Sequence, residues 1–332
     1  VKKIVCFGEV LLRMSPALQG EWLQQQQLPV YLGGAELNVA QALAQWQQPV
    51  KYVSALPVNG MSDDIKNFLA NKKIAPAIID TGDRIGIYYL PQGADLKHQA
   101  VIYDRAGSSF ASLRPGQVNW DAVFADADWF HFTAISPALN EHLPAVCLEA
   151  LQEARKRNLF ISVDLNYRAK LWQYGKNPLS VMPELVSFCD LVMGNIWSMH
   201  SLLGVPVDED IHQSPTDQKY LAHASKSAGF LFEQWPGVKF VANTFRFDME
   251  QGLRYFASLD EPGKQYESPV FEVGSVVDKV GSGDCFMAGL VLGFCRDWSE
   301  QEIIRFAAKA AIGKLQERGD ATNQTIESIR QR

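Results

Sequence analysis

Residues 276–293 read VVDKVGSGDCFMAGLVLG, and the rest of the chain can be organised around them. Asp278 closes an apolar, strand-like run. Gly281, Ser282 and Gly283 allow a tight turn whose backbone can approach a ligand closely. Asp284 then opens a stretch, CFMAGLVLGF, that is apolar on every side, as a buried helix is. A small-residue turn at a helix N-terminus leaves backbone N–H groups unpaired, and with the helix dipole they form a cradle for an anion. A carboxylate in the same turn would repel a phosphate resting there. It makes sense if Asp284 faces a hydroxyl while the N–H groups hold charge that develops only as a phosphoryl group moves. The plain alternative is a Gly-rich turn capped by Asp284. Two better-known phosphate loops do not fit. Phe286 occupies the third glycine position of a dinucleotide fingerprint, and the chain contains no Gly-Lys-Ser/Thr triplet.

A second stretch, YLGGAELNVAQALAQW (31–46), places Gly33 and Gly34 before a helix with Asn38 one turn in. The glycines permit close backbone approach, and the Asn38 amide can both donate to and accept from hydroxyls. Taken alone, this could equally be a helix start with a buried amide. Together, GGxxxNxA and DKVGSGD resemble the two signatures of the ribokinase-like (PfkB) carbohydrate kinases. Lys279 stands where many members carry threonine, which is most like the 2-keto-3-deoxygluconate kinases, where an arginine follows the Asp. The resemblance implies that Asp284 is the base for a sugar hydroxyl. It also implies that Gly281, Ser282 and Gly283 complete the anion hole, and that Gly33, Gly34 and Asn38 contact the sugar.

Composition agrees with a globular enzyme. The 332 residues are 47% hydrophobic, with a net charge of −6 and a pI near 5.6. An acidic chain argues against a nucleic-acid surface. The six histidines are scattered without metal-ligand spacing. Five cysteines at 6, 147, 189, 285 and 295 form no Cys-x-x-Cys, which reads as buried thiols in a reducing compartment. Glu9 and Arg13 interrupt the apolar N-terminal stretch, so no signal-peptide core forms, and no run approaches the ~18 apolar residues of a membrane span. A cytoplasmic protein with no membrane partner is expected.

Along the chain, strand and helix patterns alternate. Strands are expected at 3–7, 50–55, 85–91, 99–106, 128–132, 159–164, 188–194 and 238–243. Helices are expected from Ala35, over 62–69, around 143–154, near 217–231, after Asp284 and from Ser299, where Glu302 would close a capping box. Such alternation predicts an α/β chain with a mostly parallel sheet. Polar residues gather after strands: Asp164, Asn166 and Arg168, then Asn195, then Asn243 and Thr244. Ligands bind past the carboxyl ends of strands in such sheets.

The resemblance covers the whole chain and sharpens this. It implies one ribokinase-like domain over 1–332, a three-layer sandwich with a mostly parallel central sheet and a small β-lid formed by about 11–32 and 84–110. The hairpin around GADLKH (93–98) would bring Tyr88, Tyr89, Tyr103 and Arg105 to the lid, or would simply be an exposed hairpin with packing tyrosines. YDRAGSS (103–109) and DLNYRAKLW (164–172) are similar to stretches of the ketodeoxygluconate kinases, in which Arg168 would hold a substrate carboxylate with Arg105 in the same pocket. Substrate binding is thus expected at Gly33, Gly34, Asn38, Tyr89, Tyr103, Arg105 and Arg168. ATP binding is expected at Asn195, Thr244, Arg246, Asp278, Gly281 and Gly283, and GDATNQTIESI (319–329) would form the adenine-side loop. ATP and Mg²⁺ are the implied cofactors, a sugar acid the substrate, and a homo-oligomer through the lid the assembly. Another PfkB sugar kinase, of fructokinase or ribokinase type, and a non-catalytic sugar-binding regulator are the alternatives. Two stretches depart from the family pattern. Asn195-Ile-Trp-Ser198 has serine where a metal-placing glutamate is usual, and Asp164 or Glu36 could compensate. ANTFRFD (242–248) replaces a Lys/Thr-Gly stretch. Asp284, at a helix N-terminus, is expected to have a lowered pKa.

Overall fold

The computed structural model describes residues 1–17, 22, 26–92, 101–211, 213 and 216–332. In chain order the strands are β1 (Ile4–Phe7), β2 (Leu11–Met14), β3 (Val30–Gly33), β4 (Val50–Leu56), β5 (Ile74–Asp80), β6 (Gly86–Tyr89), β7 (Ile102–Asp104), β8 (Trp129–Thr133), β9 (Phe160–Asp164), β10 (Leu191–Gly194), β11 (Phe240–Asp248), β12 (Leu253–Glu261), β13 (Lys264–Glu267) and β14 (Phe271–Val273). The α-helices are α1 (Ala35–Gln45), α2 (Gly60–Asn71), α3 (Trp120–Phe124), α4 (Leu143–Lys156), α5 (Met182–Val186), α6 (Ile196–Leu203), α7 (Asp217–Gln234), α8 (Ser282–Cys295), α9 (Glu300–Lys314) and α10 (Ile326–Gln331).

A ten-stranded sheet divides the molecule, ordered β13-β12-β11-β10-β9-β8-β1-β4-β5, with β14 also paired to β12. From β11 to β5 all neighbours are parallel. These strands are buried on both faces, so they read as apolar runs and not as alternation. In β1 the side chains part by turns: Ile4 and Cys6 enter the core under α1, α2, α8, α9 and α10. Val5 and Phe7 enter the opposite core, packed mainly by α3, α4 and α5. Helices on both faces of a parallel sheet make the expected three layers.

The strand β5 has no sequence expectation behind it, because Pro76 breaks its pattern. It is the outermost strand, pairing only with β4, and an edge strand tolerates a residue with no N–H to donate. β11 runs past the expected Asn243 to Asp248 because antiparallel β12 pairs along its whole length. Asn243 therefore lies inside the sheet, fully buried, and not at its edge.

A second sheet, β3-β2-β6-β7, is the lid. β6 and β7 pair antiparallel, Tyr88 opposite Tyr103; the expected turn between them falls outside the described residues. The lid's apolar residues Leu11, Tyr88, Leu90 and Val101 pack on Val280, next to the turn that begins α8. At α9 only half of the expected capping box forms. Ser299 accepts the Glu302 N–H at 3.4 Å, while the Glu302 carboxylate pairs with Arg330 at 2.9 Å. Among the described residues no helix is long and apolar enough to cross a membrane.

Candidate active site

Two helix N-termini open onto one cavity because α1 and α8 pack against each other. At α8 the N-cap is Gly281, with φ +79°. A side chain there would be strained and would also strike the backbone, since an added Cβ would lie 2.0 Å from the Asp320 carbonyl oxygen. The Ser282 hydroxyl donates to the Ala311 carbonyl at 3.0 Å, so this residue offers the cavity its backbone N–H. The first-turn N–H groups of α8 have no acceptor within the helix. At α1 the preceding Gly34 has φ +133°, and its cramped contact with the Glu9 carbonyl oxygen leaves no room for a Cβ.

The two termini meet at a short hydrogen bond: the Asn38 amide donates to Asp284 Oδ2 at 2.7 Å. Asp284 is nearly enclosed, and burial raises its pKa to about 8. The Asn38 bond opposes the shift, while Asp164 and Glu36 add to it. This reverses the expectation of a lowered pKa. A helix dipole is worth about 0.3–1 kcal/mol at an exposed terminus, whereas desolvation of a buried carboxylate is worth several pKa units. Asp164, at the end of β9, is likewise raised by burial to about 6, against the Asn166 N–H and Arg168.

The cavity encloses about 740 Å³ and is lined by Gly34, Asn38, Tyr103, Arg105, Arg168, Asn195, Thr244, Arg246, Gly281, Ser282, Gly283 and Asp284 among others. Three residues expected in the site do not line it. Gly33 abuts the Asp320 carboxylate instead. Tyr89 points the other way from Tyr88, as alternate residues of a strand do, and stacks on Trp22 with ring centroids 6.4 Å apart. It is Tyr88 that lines the cavity. Asp278 accepts from the N–H groups of Val280 (3.0 Å) and Gly319 (3.2 Å), so it is an anchor of the turn. No residue of 319–329 lines the cavity; Asp320 of that stretch lies behind the turn that begins α8.

The two arginines differ. Arg105 is buried and directs both Nε and Nη2 to Glu9 Oε2 at 2.6 Å, and the Ser108 hydroxyl donates to the same carboxylate. It lines the cavity as expected, with two of its nitrogens held by Glu9. Arg168 is half-buried. It donates to the Tyr167 carbonyl at 3.0 Å and makes no ion pair among the described residues. Lys170 and Lys279 also line the cavity, which sequence reasoning left out of the site.

At the other end, Thr244 and Arg246 share one face of β11, two residues apart. Asn195 is the N-cap of α6: its side-chain oxygen accepts the Ser198 N–H at 2.9 Å. The Ser198 hydroxyl accepts from Asn195 N–H and donates to Asn195 O, both at 2.9 Å. Ser198 is thus consumed by a capping box. Glu36 does not replace the missing glutamate. Its carboxylate is buried on the Thr133 N–H (3.0 Å) and hydroxyl (2.7 Å), away from the cavity lining.

Among the described residues, no cluster of three or more acidic, His or Cys side chains could hold a metal alone. Magnesium commonly keeps several waters and arrives on substrate phosphates, needing one or two carboxylates. Asp164, Asp284 and the Asn195 amide fit that mode and do not fit a resident all-protein site.

The sequence profile described as pfkB family carbohydrate kinase matches residues 1–229 and 250–327. The 2-dehydro-3-deoxygalactonokinase of Haloferax volcanii is 29% identical over 98% of this chain and 95% of that protein. The crystal structure of 2-dehydro-3-deoxygluconokinase from Thermotoga maritima superposes with a TM-score of 0.90 at 31% identity, covering 100% of this chain and 99% of that one. A fructokinase with bound ATP from Xylella fastidiosa shares the fold, with a TM-score of 0.76 at 21% identity over 99% and 97% of the two chains. A parallel sheet carrying a lid and a helix N-terminus with an embedded carboxylate, matched from end to end by one family, leaves one assignment: the chain belongs to the pfkB family of carbohydrate kinases.

Proposed function

We propose that this sugar kinase transfers the γ-phosphoryl group of ATP to the terminal hydroxyl of a 2-keto-3-deoxy sugar acid, with 2-keto-3-deoxygluconate as the expected substrate. The observation that carries the reading is that Arg168, the Asn38–Asp284 pair and the Gly281–Asp284 turn line one cavity. The names of the Haloferax and Thermotoga relatives support it. Arg168 pairs with the carboxylate of the substrate through its planar fork. Arg105, held by Glu9, shapes the wall beside it. Asn38 and the backbone at Gly34 bind hydroxyls and turn the terminal one toward Asp284. In its ionised form Asp284 accepts the proton of that hydroxyl as the oxygen bonds to phosphorus and the bond to the ADP oxygen breaks. The N–H groups of Gly281, Ser282, Gly283 and Asp284 stabilise the charge on the moving phosphoryl group. Thr244, Arg246 and the Asn195 amide hold the nucleotide phosphates. Asp164 would face the water shell of a magnesium ion carried by ATP, which would neutralise phosphate charge there. The lid presents exposed Val30 and Ile102 (53% and 52%) on its two outer strands, and an open sheet edge favours pairing with a second copy.

The test is ADP release with a panel containing 2-keto-3-deoxygluconate, its galactonate epimer, fructose and ribose, run on the wild type and Arg168→Ala. The sugar acids are expected as preferred substrates. Arg168→Ala is expected to lose about 2–3 kcal/mol in kcat/KM for them and far less for neutral sugars. Equal losses for both classes, or a wild-type preference for fructose or ribose, would remove the sugar-acid assignment.

A further inference from the structure

Arg13 carries a full charge on the lid strand β2, is 2% exposed, and has no part in the chemistry proposed above. Three segments remote in sequence meet on its guanidinium. On the lid side it lies over the Tyr31 ring of β3, 4.4 Å from the centroid. On the side of the α8 turn it donates to Asp278 through Nη2 (2.8 Å) and Nη1 (3.4 Å). On the side of the loop after α9, its Nε lies 2.8 Å from Asp320 Oδ1. The other Asp320 oxygen takes the hydroxyl of Tyr88, from lid strand β6, at 2.9 Å. Asp278 in turn holds Val280, the residue before the N-cap, and the Asp320 carbonyl fills the space a side chain at Gly281 would need. Burial lowers the pKa of Arg13, but Asp320, Asp278 and Tyr88 together outweigh it and hold the group above its ordinary value. The guanidinium stays charged.

We infer that Arg13 is a positioning residue that locks the lid sheet to the anion-hole turn, so that a hydroxyl delivered under the lid and the N–H groups of Gly281 to Asp284 are held in one fixed relation. The inference rests on reading that turn as the phosphoryl-binding site. A buried ion cluster that served stability alone would need no lid partner. Here the fork spans the Asp278 and Asp320 carboxylates while the Tyr88 hydroxyl and Tyr31 ring close the cluster from the lid. A lysine keeps the charge but lacks the planar fork, so it would satisfy one carboxylate at a time.

Arg13→Lys and Asp320→Asn test this by steady-state kinetics and amide hydrogen exchange on the full chain. Misplacement of reacting groups is felt mainly in turnover. Arg13→Lys is expected to lower kcat by about tenfold or more, with KM for the sugar acid changed by less than about threefold. Amides of 278–284 and of 86–89 are expected to exchange faster together, while those of α4, in the opposite core, keep their protection. Asp320→Asn, which perturbs the cluster from the other side and keeps Arg13, should show the same pattern more weakly. A kcat within about twofold of wild type in well-folded Arg13→Lys would overturn the inference. Faster exchange confined to the lid or to the turn would also overturn it. Should the wild type phosphorylate no sugar or sugar acid, the reading of the turn fails on that result alone. The exchange data then decide by themselves whether Arg13 couples the two segments.

Discussion

Asp284 combines two properties that pull against each other. Its carboxyl is placed by the N-terminus of α8 and by Asn38, yet burial holds its pKa at about 8. The free enzyme at neutral pH is therefore largely in the protonated, non-basic form. Because the proposed base is the ionised form, kcat/KM is expected to climb with pH, pass half its plateau near 8 and level off about one unit above it, as the free-enzyme pKa dictates. Asp284→Asn keeps the shape and removes the base. Its kcat is expected to fall by about 10²–10⁴ with little change in sugar affinity, and full activity would exclude Asp284 from proton transfer. Asp284 and Asn38 were legible in the sequence because each sits in a local motif whose geometry a turn and one helical turn dictate. Glu9 and Arg13 were not. Each reads as a charge interrupting an apolar run, and only the fold reveals the partners, Arg105 for one and Asp278 with Asp320 for the other, that make burial tolerable.

Helix α6 shows how an element can take over a functional position. Its N-cap Asn195 is closed by Ser198 in a reciprocal capping box, so the position at which the family resemblance leads one to expect a glutamate is spent on the helix start. Glutamate at the same helical position supports a capping box equally well. Ser198→Glu is therefore expected to fold normally and to bring a carboxylate to the cavity that Ser198 now lines. Half-maximal activity should then be reached at lower Mg²⁺. Superimposable Mg²⁺ titrations for the two proteins would mean that Asp164 and the phosphates suffice. Elements of the parallel sheet were readable as apolar runs between helices, and α8 as a helix buried on all sides. β5 was hidden by Pro76 and the β12–β14 meander by mixed polarity, since edge strands follow weaker rules than central ones. The phase of a strand also decided which tyrosine lines the cavity: a register of two separates Tyr88 from Tyr89, and the sequence does not say which face is inward.

The whole molecule carries its functional cost in its pH dependence. Besides Asp320, burial raises four carboxyl groups: Asp284 to about 8, Glu36 to about 7, and Asp164 and Asp260 to about 6. Each keeps a proton in the folded chain that it would lose when unfolded. Their contribution to stability is therefore complete below about pH 4 and is lost as pH climbs through 6 to 8. His131 acts in the opposite sense. Burial lowers its pKa to about 3 against the opposing hydrogen bond with Ser162, so its contribution is present above its unfolded value of 6.5 and lost as pH falls toward 3. Four groups against one decide the sign: the ligand-free protein should be more stable at pH 5.5 than at pH 8.5. One pKa unit corresponds to about 1.4 kcal/mol, so even a fraction of these shifts gives a fall of about 2 kcal/mol. Surface ion pairs are worth too little, about 0–1 kcal/mol each, to reverse it. Urea unfolding at pH 5.5, 7 and 8.5 measures the slope. Asp284→Asn removes the group that titrates highest, so it should be more stable than the wild type at pH 8.5, with the two converging as the pH is lowered. A wild type whose stability rises steadily from pH 5.5 to 8.5 would show that these carboxyls are not held protonated. A stabilised but inactive Asp284→Asn would show that the buried charge is kept for turnover, at the expense of the fold.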